Sequence, residues 1–170
     1  MAEAPRHRAV LEKAAIEAGW GKTPAGRSLG LALHESYGSI VAEAADVSID
    51  GEKVVLHRFT VAIDCGRAVN PNLVAAQMEG GVAFGLTAAC LGEITIQSGT
   101  VRQAGFRDYP MLKMKHMPEV DVHIVESGAA VGGAGEPGVP PAAPALSNAI
   151  FAACGRRVRR LPITREGFRL

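Results

Sequence analysis

The sequence predicts an α+β fold of mixed α/β layers, in which helices pack on a mainly antiparallel sheet. Three consecutive alternating segments separated by short glycine turns indicate antiparallel strands. Two long apolar segments bounded by proline and glycine indicate helices. The element order is helix, three strands, helix, hairpin, strand and helix. With 170 residues, 48% of them hydrophobic and 21% charged, the chain fits one domain spanning residues 1–170.

The N-terminal segment, residues 1–21, is predicted to form a helix. Apolar residues recur from Arg6 to Ala18, and Gly19 and Gly21 follow as stop signals. Charges interrupt the segment throughout, which excludes a signal peptide or a membrane span there. The expected apolar face consists of Ala9, Leu11, Ala15, Ile16 and Ala18.

Three strands are predicted next, over residues 29–35, 39–49 and 53–64, separated by the turns Tyr37-Gly38 and Asp50-Gly51. The first strand ends in a histidine and a glutamate, which allow either a metal or acid–base site or a purely structural role. Adjacent strand residues point to opposite faces. The structural role is therefore favoured for both His34 and Glu35.

A long helix is predicted from Leu73 to Cys90, with Asn70 as its N-cap and Pro71 in its first turn. Three glycines interrupt it, and each weakens a helix by about 1 kcal/mol relative to alanine. Close packing against another backbone or against a cofactor would explain them, and the two explanations are compatible. These glycines are Gly80, Gly81 and Gly85.

Between this helix and the last one, a hairpin is predicted over residues 91–101 and a strand over residues 120–125. Methionines recur every third residue between them, at Met111, Met114 and Met117. Thioethers can form a soft metal site, but they more often fill gaps in a core. Core packing is therefore the favoured interpretation.

Residues 127–150 combine a glycine-rich loop with an apolar helix, which is typical of a ligand-binding site. Three glycines allow the backbone before Glu136 to approach a ligand closely: Gly132, Gly133 and Gly135. The helix is predicted to begin at about Pro140 and to end at Cys154. From spacing alone, Glu136 either caps this helix on a solvated turn or is presented to a ligand.

The stretch GAGEPGVPPAAPALSNAI resembles the C-terminal signature of the molybdenum hydroxylases, the xanthine dehydrogenase and aldehyde oxidase superfamily. Extended to the RRLP run, it is most similar to the large (beta) subunits of isoquinoline 1-oxidoreductase and their bacterial relatives, often labelled aldehyde dehydrogenases. The resemblance covers nearly the whole chain. It implies that the chain is the C-terminal part of a large subunit, and that Glu136 is the catalytic base beside the molybdenum.

The same resemblance implies cofactor and substrate contacts. The run DCGRAVNPNLVAAQMEGGVAFGL is similar to a family segment whose glutamine lies at the pterin, which implies that role for Gln77. Its amide offers both donors and an acceptor. DYPML resembles a family loop near the active-site cleft, so Asp108 and Tyr109 are candidate substrate-lining residues. The other candidate cofactor contacts are Gly80, Gly81, Gly133 and Gly135.

The function implied is that of a molybdenum hydroxylase, which hydroxylates an isoquinoline-like N-heterocycle or oxidises an aldehyde with water as the oxygen source. The implied cofactor is molybdenum-molybdopterin cytosine dinucleotide, shared with the rest of the large subunit. Iron–sulfur clusters are expected on a small partner subunit, because the three cysteines here lack cluster spacing. The chain alone is expected to be inactive. Cytoplasmic and periplasmic locations are both compatible with the family.

The alternative function is a non-catalytic cofactor-binding, anion-binding or assembly module, whose glycine-rich loop holds an anion at a helix N-terminus. A net charge of +1 and an aromatic content of 5% disfavour nucleic-acid binding. No residue of this chain is predicted to ligate a metal, since its cysteines and histidines show no ligand spacing.

Overall fold

The computed structural model describes residues 4–170, so residues 1–3 of the predicted N-terminal segment lie outside it. Its helices are α1 (Pro5–Glu17), α2 (Pro71–Cys90) and α3 (Ala142–Cys154), with 3-10 turns at Met114–His116 and Ile163–Glu166. Its strands are β1 (Ser28–Ser36), β2 (Ser39–Asp50), β3 (Lys53–Asp64), β4 (Ile96–Gln97), β5 (Thr100–Val101) and β6 (Glu119–Ile124). Helices α2 and α3 and the four long strands begin and end within about two residues of the predicted positions. Helix α1 is shorter than the predicted segment of residues 1–21.

The four long strands form one sheet in the order β1, β2, β3, β6. β1 pairs antiparallel with β2, and β2 with β3, whereas β6 pairs parallel with β3. Helix α2 lies in the connection that returns the chain for this parallel pairing. The short strands β4 and β5 form a separate hairpin. The predicted fold, helices on a mainly antiparallel sheet, is therefore confirmed.

Helix α1 covers one face of the sheet. Its buried residues recur every fourth position, at Val10, Ala14 and Ala18. The predicted apolar face was therefore wrong at Ala9, which is exposed, and at Ile16, which is 73% exposed. Both stripes have helical spacing, and contact with the sheet decides which one is buried.

Helices α2 and α3 cover the opposite face. Helix α3 lies directly on β1 at Gly30, where an added Cβ would overlap the Ala149 nitrogen and lie 2.7 Å from the Asn148 carbonyl carbon. The Asn148 amide donates to the Leu31 carbonyl oxygen at 2.9 Å. The largest fully buried hydrophobic side chains of this layer are Phe59, Ile63, Met78, Leu86, Leu146 and Ile150.

Two of the predicted helix glycines bring α2 close to the segment before α3. A Cβ at Gly81 would lie 2.9 Å from the Gly138 carbonyl carbon, and one at Gly85 would lie 2.7 Å from the Val139 carbonyl oxygen. Real Cβ atoms do not approach backbone this closely, so only glycine permits this distance between the elements. Packing against another backbone therefore explains both glycines.

Among residues 4–170, α2 is the one helix long and apolar enough to cross a membrane, with a mean hydropathy of 1.3, and half of that window is buried in the fold. Core helices share this length and composition, so the expected lack of a membrane segment stays a prediction. The helix begins as predicted, because the Asn70 side-chain oxygen accepts a hydrogen bond from the Leu73 N–H at 3.2 Å.

The methionine-containing segment lies at the surface. Met114 is 89% exposed and Met111 is 39% exposed, whereas Met117 is partly buried. The predicted core packing was therefore wrong for the first two. The segment forms only a short 3-10 turn, which lacks the regular face that a longer helix would bury.

Glu43 in β2 is a charged residue type at a core position. It is fully buried, and neither carboxyl oxygen has a hydrogen-bond partner among residues 4–170. Its side chain lies on the same face of the strand as Val41 and Ala45, toward α2 and α3. Burial raises the pKa of Glu43 well above its ordinary value, so the folded chain favours the neutral acid.

Candidate active site at the loop before helix α3

The glycine-rich loop is attached to the ends of two strands by backbone hydrogen bonds. The Gly132 N–H donates to the Cys65 carbonyl oxygen at 2.9 Å, and the Gly133 N–H donates to the Tyr37 carbonyl oxygen at 2.9 Å. The Ser39 hydroxyl donates to the Gly133 carbonyl oxygen at 2.7 Å. Both backbone groups of Gly133 are thus used within the fold.

Close contact with the β1–β2 turn explains why glycine is needed in this loop. A Cβ at Gly132 would overlap the Ser39 hydroxyl and lie 2.9 Å from the Gly38 carbonyl carbon. A Cβ at Gly133 would lie 3.0 Å from the Tyr37 Cβ. The loop can therefore reach this turn only without side chains at these positions.

A buried aspartate ties the start of the loop to β3. Asp64 Oδ1 accepts hydrogen bonds from the Gly66 N–H at 2.8 Å and the Ser127 hydroxyl at 2.9 Å, and Oδ2 accepts one from Arg6 Nε at 2.7 Å. Arg6 also donates to the Gly38 carbonyl oxygen at 3.2 Å. Burial favours the neutral acid, but the hydrogen bonds from Arg6, Gly66 and Ser127 outweigh it and lower the pKa of Asp64. The Arg6–Asp64 ion pair thus links α1, the β1–β2 turn and the loop.

Glu136 follows this fixed loop and is exposed. The N-cap of α3 is Pro141, and no side chain makes a capping hydrogen bond there. The helix-cap interpretation of Glu136 is therefore wrong. Instead, Glu136 lines the same cavity as Tyr37, and interaction with its carboxylate, by hydrogen bonding and by charge, raises the pKa of Tyr37.

On one side, Glu136 lines a cavity of about 330 Å³. Polar groups on the cavity wall come from the end of β1 and the following turn, and its apolar groups come from the segment before α3. The lining residues are His34, Ser36, Tyr37, Glu136, Val139 and Pro140. His34 and Ser36 are two residues apart and so share a strand face. That spacing was the signal that could have identified them from sequence.

On the other side of the loop lies a second cavity, of about 280 Å³, between the loop and the N-terminal half of α2. Gln77, Gly132 and Gly135 line it, and a Cβ at Gly135 would lie 3.3 Å from Gln77 Nε2. Its other walls are mostly apolar, with Arg67 at its rim. The structure therefore brings two of the predicted cofactor contacts, Gln77 and Gly135, to one cavity, whereas Gly133 does not line it.

The other predicted contacts lie differently. Gly80 is on the exposed side of α2, where an added Cβ would meet nothing within 4 Å, whereas Gly81 is buried against Gly138. Asp108 and Tyr109 line neither cavity. The Tyr109 hydroxyl lies beside Gly92, just after the end of α2. That end of the helix is about 20 Å from Gln77 along the helix axis, at 1.5 Å per residue. Their substrate-lining role stays a prediction, and no contact among residues 4–170 supports it.

Residues 16–118 match the family model described as a molybdopterin cofactor-binding domain. The chain belongs to this family. It is 33% identical over 165 residues to the isoquinoline 1-oxidoreductase subunit beta of Brevundimonas diminuta, a match that covers 94% of this chain and 21% of that protein. It is 35% identical over 119 residues to a putative xanthine dehydrogenase molybdenum-binding subunit of Escherichia coli, covering 66% of this chain and 16% of that subunit.

A solved structure shows the same fold. Quinoline 2-oxidoreductase from Pseudomonas putida 86 matches with a TM-score of 0.68 and 24% identity, over 74% of this chain and 17% of that chain. This chain spans about a fifth of the length of the relatives that it matches. The predicted resemblance to molybdenum hydroxylase large subunits is therefore confirmed, for a chain that corresponds to part of such a subunit.

The residues around the second cavity fit a molybdopterin cofactor. Among residues 4–170, no hydrogen bond uses the Gln77 amide or the N–H groups of Ala134 and Gly135. These groups lie at a cavity with mostly apolar walls, which suits a flat ring with donors and acceptors along its edge. Within the same residues, no group of three or more His, Cys, Asp and Glu side chains is placed to hold a metal ion.

Proposed function

We propose that this chain supplies the catalytic base and part of the cofactor cavity of a molybdenum hydroxylase. Its substrate would be an isoquinoline-like N-heterocycle or an aldehyde, and water would be the oxygen source. The observation that carries the proposal is the position of Glu136, which lines one cavity and directly follows Gly135, which lines the other, in a loop held by backbone hydrogen bonds. Family membership supports it.

The cofactor in this proposal is molybdenum-molybdopterin cytosine dinucleotide, held at the Gln77 cavity. When bound, the molybdenum centre would supply a Lewis acid that activates the water oxygen and would accept the two electrons released from the substrate. The Gln77 amide and the free N–H of Gly135 would hold the pterin edge, because both lie unpartnered at the same cavity. Gly80 leaves open space on the same helix, which permits close approach of a planar group.

Glu136 would act as the general base. Its carboxylate would accept one proton from water as the water oxygen forms a bond to the substrate carbon, and such positioned proton transfer contributes about 10²–10⁴-fold to rate. The C–H bond of that carbon would break, and its two electrons would leave to the bound molybdenum centre. The backbone hydrogen bonds at Gly132 and Gly133 fix the loop a few residues before it. Fixing the backbone limits how far the carboxylate can move from the reacting atoms, which preserves the rate advantage of orientation.

Two partners follow from this proposal. The remainder of the large subunit would complete the cofactor site, because the chain spans 21% of its Brevundimonas relative. A small subunit would carry the iron–sulfur clusters, since Cys65 and Cys90 are buried singly and Cys154 lies alone at the surface. The chain by itself would therefore bind no complete cofactor and show no turnover.

The test is to co-express the chain with the remaining large-subunit segment and an iron–sulfur subunit. Molybdenum content and dye-linked oxidation of a panel of N-heterocycles and aldehydes would be measured for wild type, Glu136→Gln and Glu12→Gln. Glu12 is a matched control because it is a carboxylate on α1, paired with Arg8. We expect Glu136→Gln to retain molybdenum and to lose about 10²–10⁴-fold in kcat, and Glu12→Gln to match wild type.

Equal activity of Glu136→Gln and wild type would contradict the proposal. So would a fully loaded wild-type complex that oxidises no member of the panel. Either result would favour the alternative, a non-catalytic cofactor-binding, anion-binding or assembly module. Turnover by the 170-residue chain alone would contradict the requirement for partners.

A further inference from the structure

Tyr37 contacts the Glu136 loop through both its backbone and its side chain. Its carbonyl oxygen accepts a hydrogen bond from the Gly133 N–H at 2.9 Å, and its Cβ lies 3.0 Å from the place that a Cβ at position 133 would take. Tyr37 and Glu136 also line the same cavity, and the carboxylate raises the pKa of the Tyr37 hydroxyl. Tyr37 in the β1–β2 turn is therefore next to the loop at both Gly133 and Glu136.

The backbone of Tyr37 is in a conformation that aromatic residues rarely adopt. Its φ is 53°, and Gly38 after it has a φ of 75°. Two-residue hairpin turns of this kind strongly prefer asparagine, aspartate or glycine, because side chains with a Cβ are strained at positive φ. An aromatic residue at such a position is therefore unfavourable locally, and a strained backbone of this kind is often found where function requires the side chain.

Core packing does not account for this tyrosine. The residue is 66% exposed, so its ring contributes little to the hydrophobic core. Tyr37 lines the same cavity as Glu136, His34 and Ser36. A phenol donates one hydrogen bond and a carboxylate accepts, so the pair has complementary groups.

We propose that Tyr37 is a positioning residue, whose hydroxyl donates a hydrogen bond to Glu136 and turns the free carboxylate oxygen toward the cavity with His34 and Ser36. This inference rests on the proposed function, because it assigns the substrate to that cavity and the base to Glu136. The cofactor then lies on the Gln77 side of the loop and the substrate on the Tyr37 side. A substrate with a ring nitrogen or carbonyl oxygen could accept a hydrogen bond from the Ser36 hydroxyl, which is buried and unpartnered among residues 4–170.

Few charged groups compete with this contact. His34 lines the same cavity, and Arg6 reaches the turn only at the Gly38 carbonyl oxygen while it pairs with Asp64. Glu35 lies on the opposite strand face, where it pairs with His7. Among residues 4–170, Glu136 is the one carboxylate that lines the cavity with Tyr37.

The first experiment measures the contact without any catalysis. The 170-residue chain would be labelled with ¹³C at tyrosine Cζ, and its two tyrosine signals would be followed with pH, with Tyr37→Phe used to assign them. We expect the Tyr37 signal to titrate above the ordinary tyrosine pKa of about 10 and to return toward it in Glu136→Gln. Glu79→Gln, an exposed glutamate on α2, is the control. An unmoved midpoint in Glu136→Gln would overturn the proposal.

The second experiment uses the assembled complex. Tyr37→Phe keeps the ring and removes only the hydroxyl, so we expect full molybdenum content, an unchanged KM within about twofold and a kcat about tenfold lower. Trp20→Phe, at an exposed aromatic beyond α1, should match wild type. A wild-type kcat in Tyr37→Phe would overturn the positioning role. An inert wild-type complex would contradict the proposed function, while the titration decides the contact separately.

Discussion

Helices α2 and α3 cover the same face of the sheet, but only α3 has its apolar stripe fully covered by this chain. The inward residues of α3 are completely buried, and its backbone rests on Gly30 of β1. Helix α2 buries Met78 and Leu86, yet its outward residues Leu73 and Phe84 are 64% and 65% exposed. Exposed apolar helix faces are typical of interfaces. Under the proposed function, the remainder of the large subunit would pack on this outer face of α2.

The largest effect on stability is expected from a substitution that disrupts the contact between α3 and Gly30 of β1. Gly30→Ala places a Cβ against the Ala149 nitrogen and 2.7 Å from the Asn148 carbonyl carbon, and α3 must move to accommodate it. We expect the free energy of unfolding to fall by about 3 kcal/mol or more, measured by urea denaturation of the 170-residue chain. Gly80→Ala is the matched control, because its Cβ meets nothing. It should stabilise the chain by about 0.5–1 kcal/mol, and equal losses at both sites would contradict the comparison.

An intermediate effect concerns the sheet face that α2 and α3 cover. The pKa of Glu43 is raised well above its ordinary value by burial, so the folded chain holds a proton that the unfolded chain releases. Stability is then fully present below the unfolded pKa of about 4.3 and falls as pH rises toward the folded pKa, by about 1.4 kcal/mol per pH unit. Glu43→Gln should remove this slope in urea denaturation measured from pH 5 to 7. An identical slope in wild type and variant would show that Glu43 is ionised in the folded chain.

The smallest effect on stability is expected from a substitution on the outer, exposed face of α2. Phe84→Gln changes an exposed side chain, so the free energy of unfolding should change by no more than about 0.5 kcal/mol. Loss of the Phe84 ring should instead weaken assembly with the remaining large-subunit segment, measured by pull-down of the co-expressed pair. Ile16→Gln on α1, also exposed, should leave assembly unchanged. If the two variants assemble equally well with that segment, the outer face of α2 is not the interface.

Local signals were sufficient for most of the fold. The glycine turns at Gly38 and Gly51, both with positive φ, mark the ends of strands that the alternating pattern predicts. Asn70 and Gly155 likewise mark helix ends by their own chemistry. The burial of α1 was different, because two stripes of similar apolarity are compatible with its sequence, and only contact with the sheet selects one.

The candidate site was also predicted only in part, because local signals name its residues but not the contacts between them. Glu136 and Gln77 stand in long sequence stretches that resemble a family, so their positions could be named in advance. The contacts that hold the site could not be named in advance, because they join distant parts of the chain. Ser39 and Gly133 are 94 residues apart, and Arg6 and Asp64 are 58 residues apart. Nothing in the local pattern around Tyr37 indicates that its hydroxyl meets Glu136.

By itself, the sequence determined the elements, their turns and the family, because each depends on residues close together along the chain or on a long contiguous motif. The tertiary structure alone decided which stripe of α1 is buried, that Gly81 packs on Gly138, and that Tyr37 and His34 share a cavity with Glu136. These outcomes depend on how the sheet and helices meet in space. Strand alternation and helix period limit which residues can meet, but only the packing of the elements decides which do.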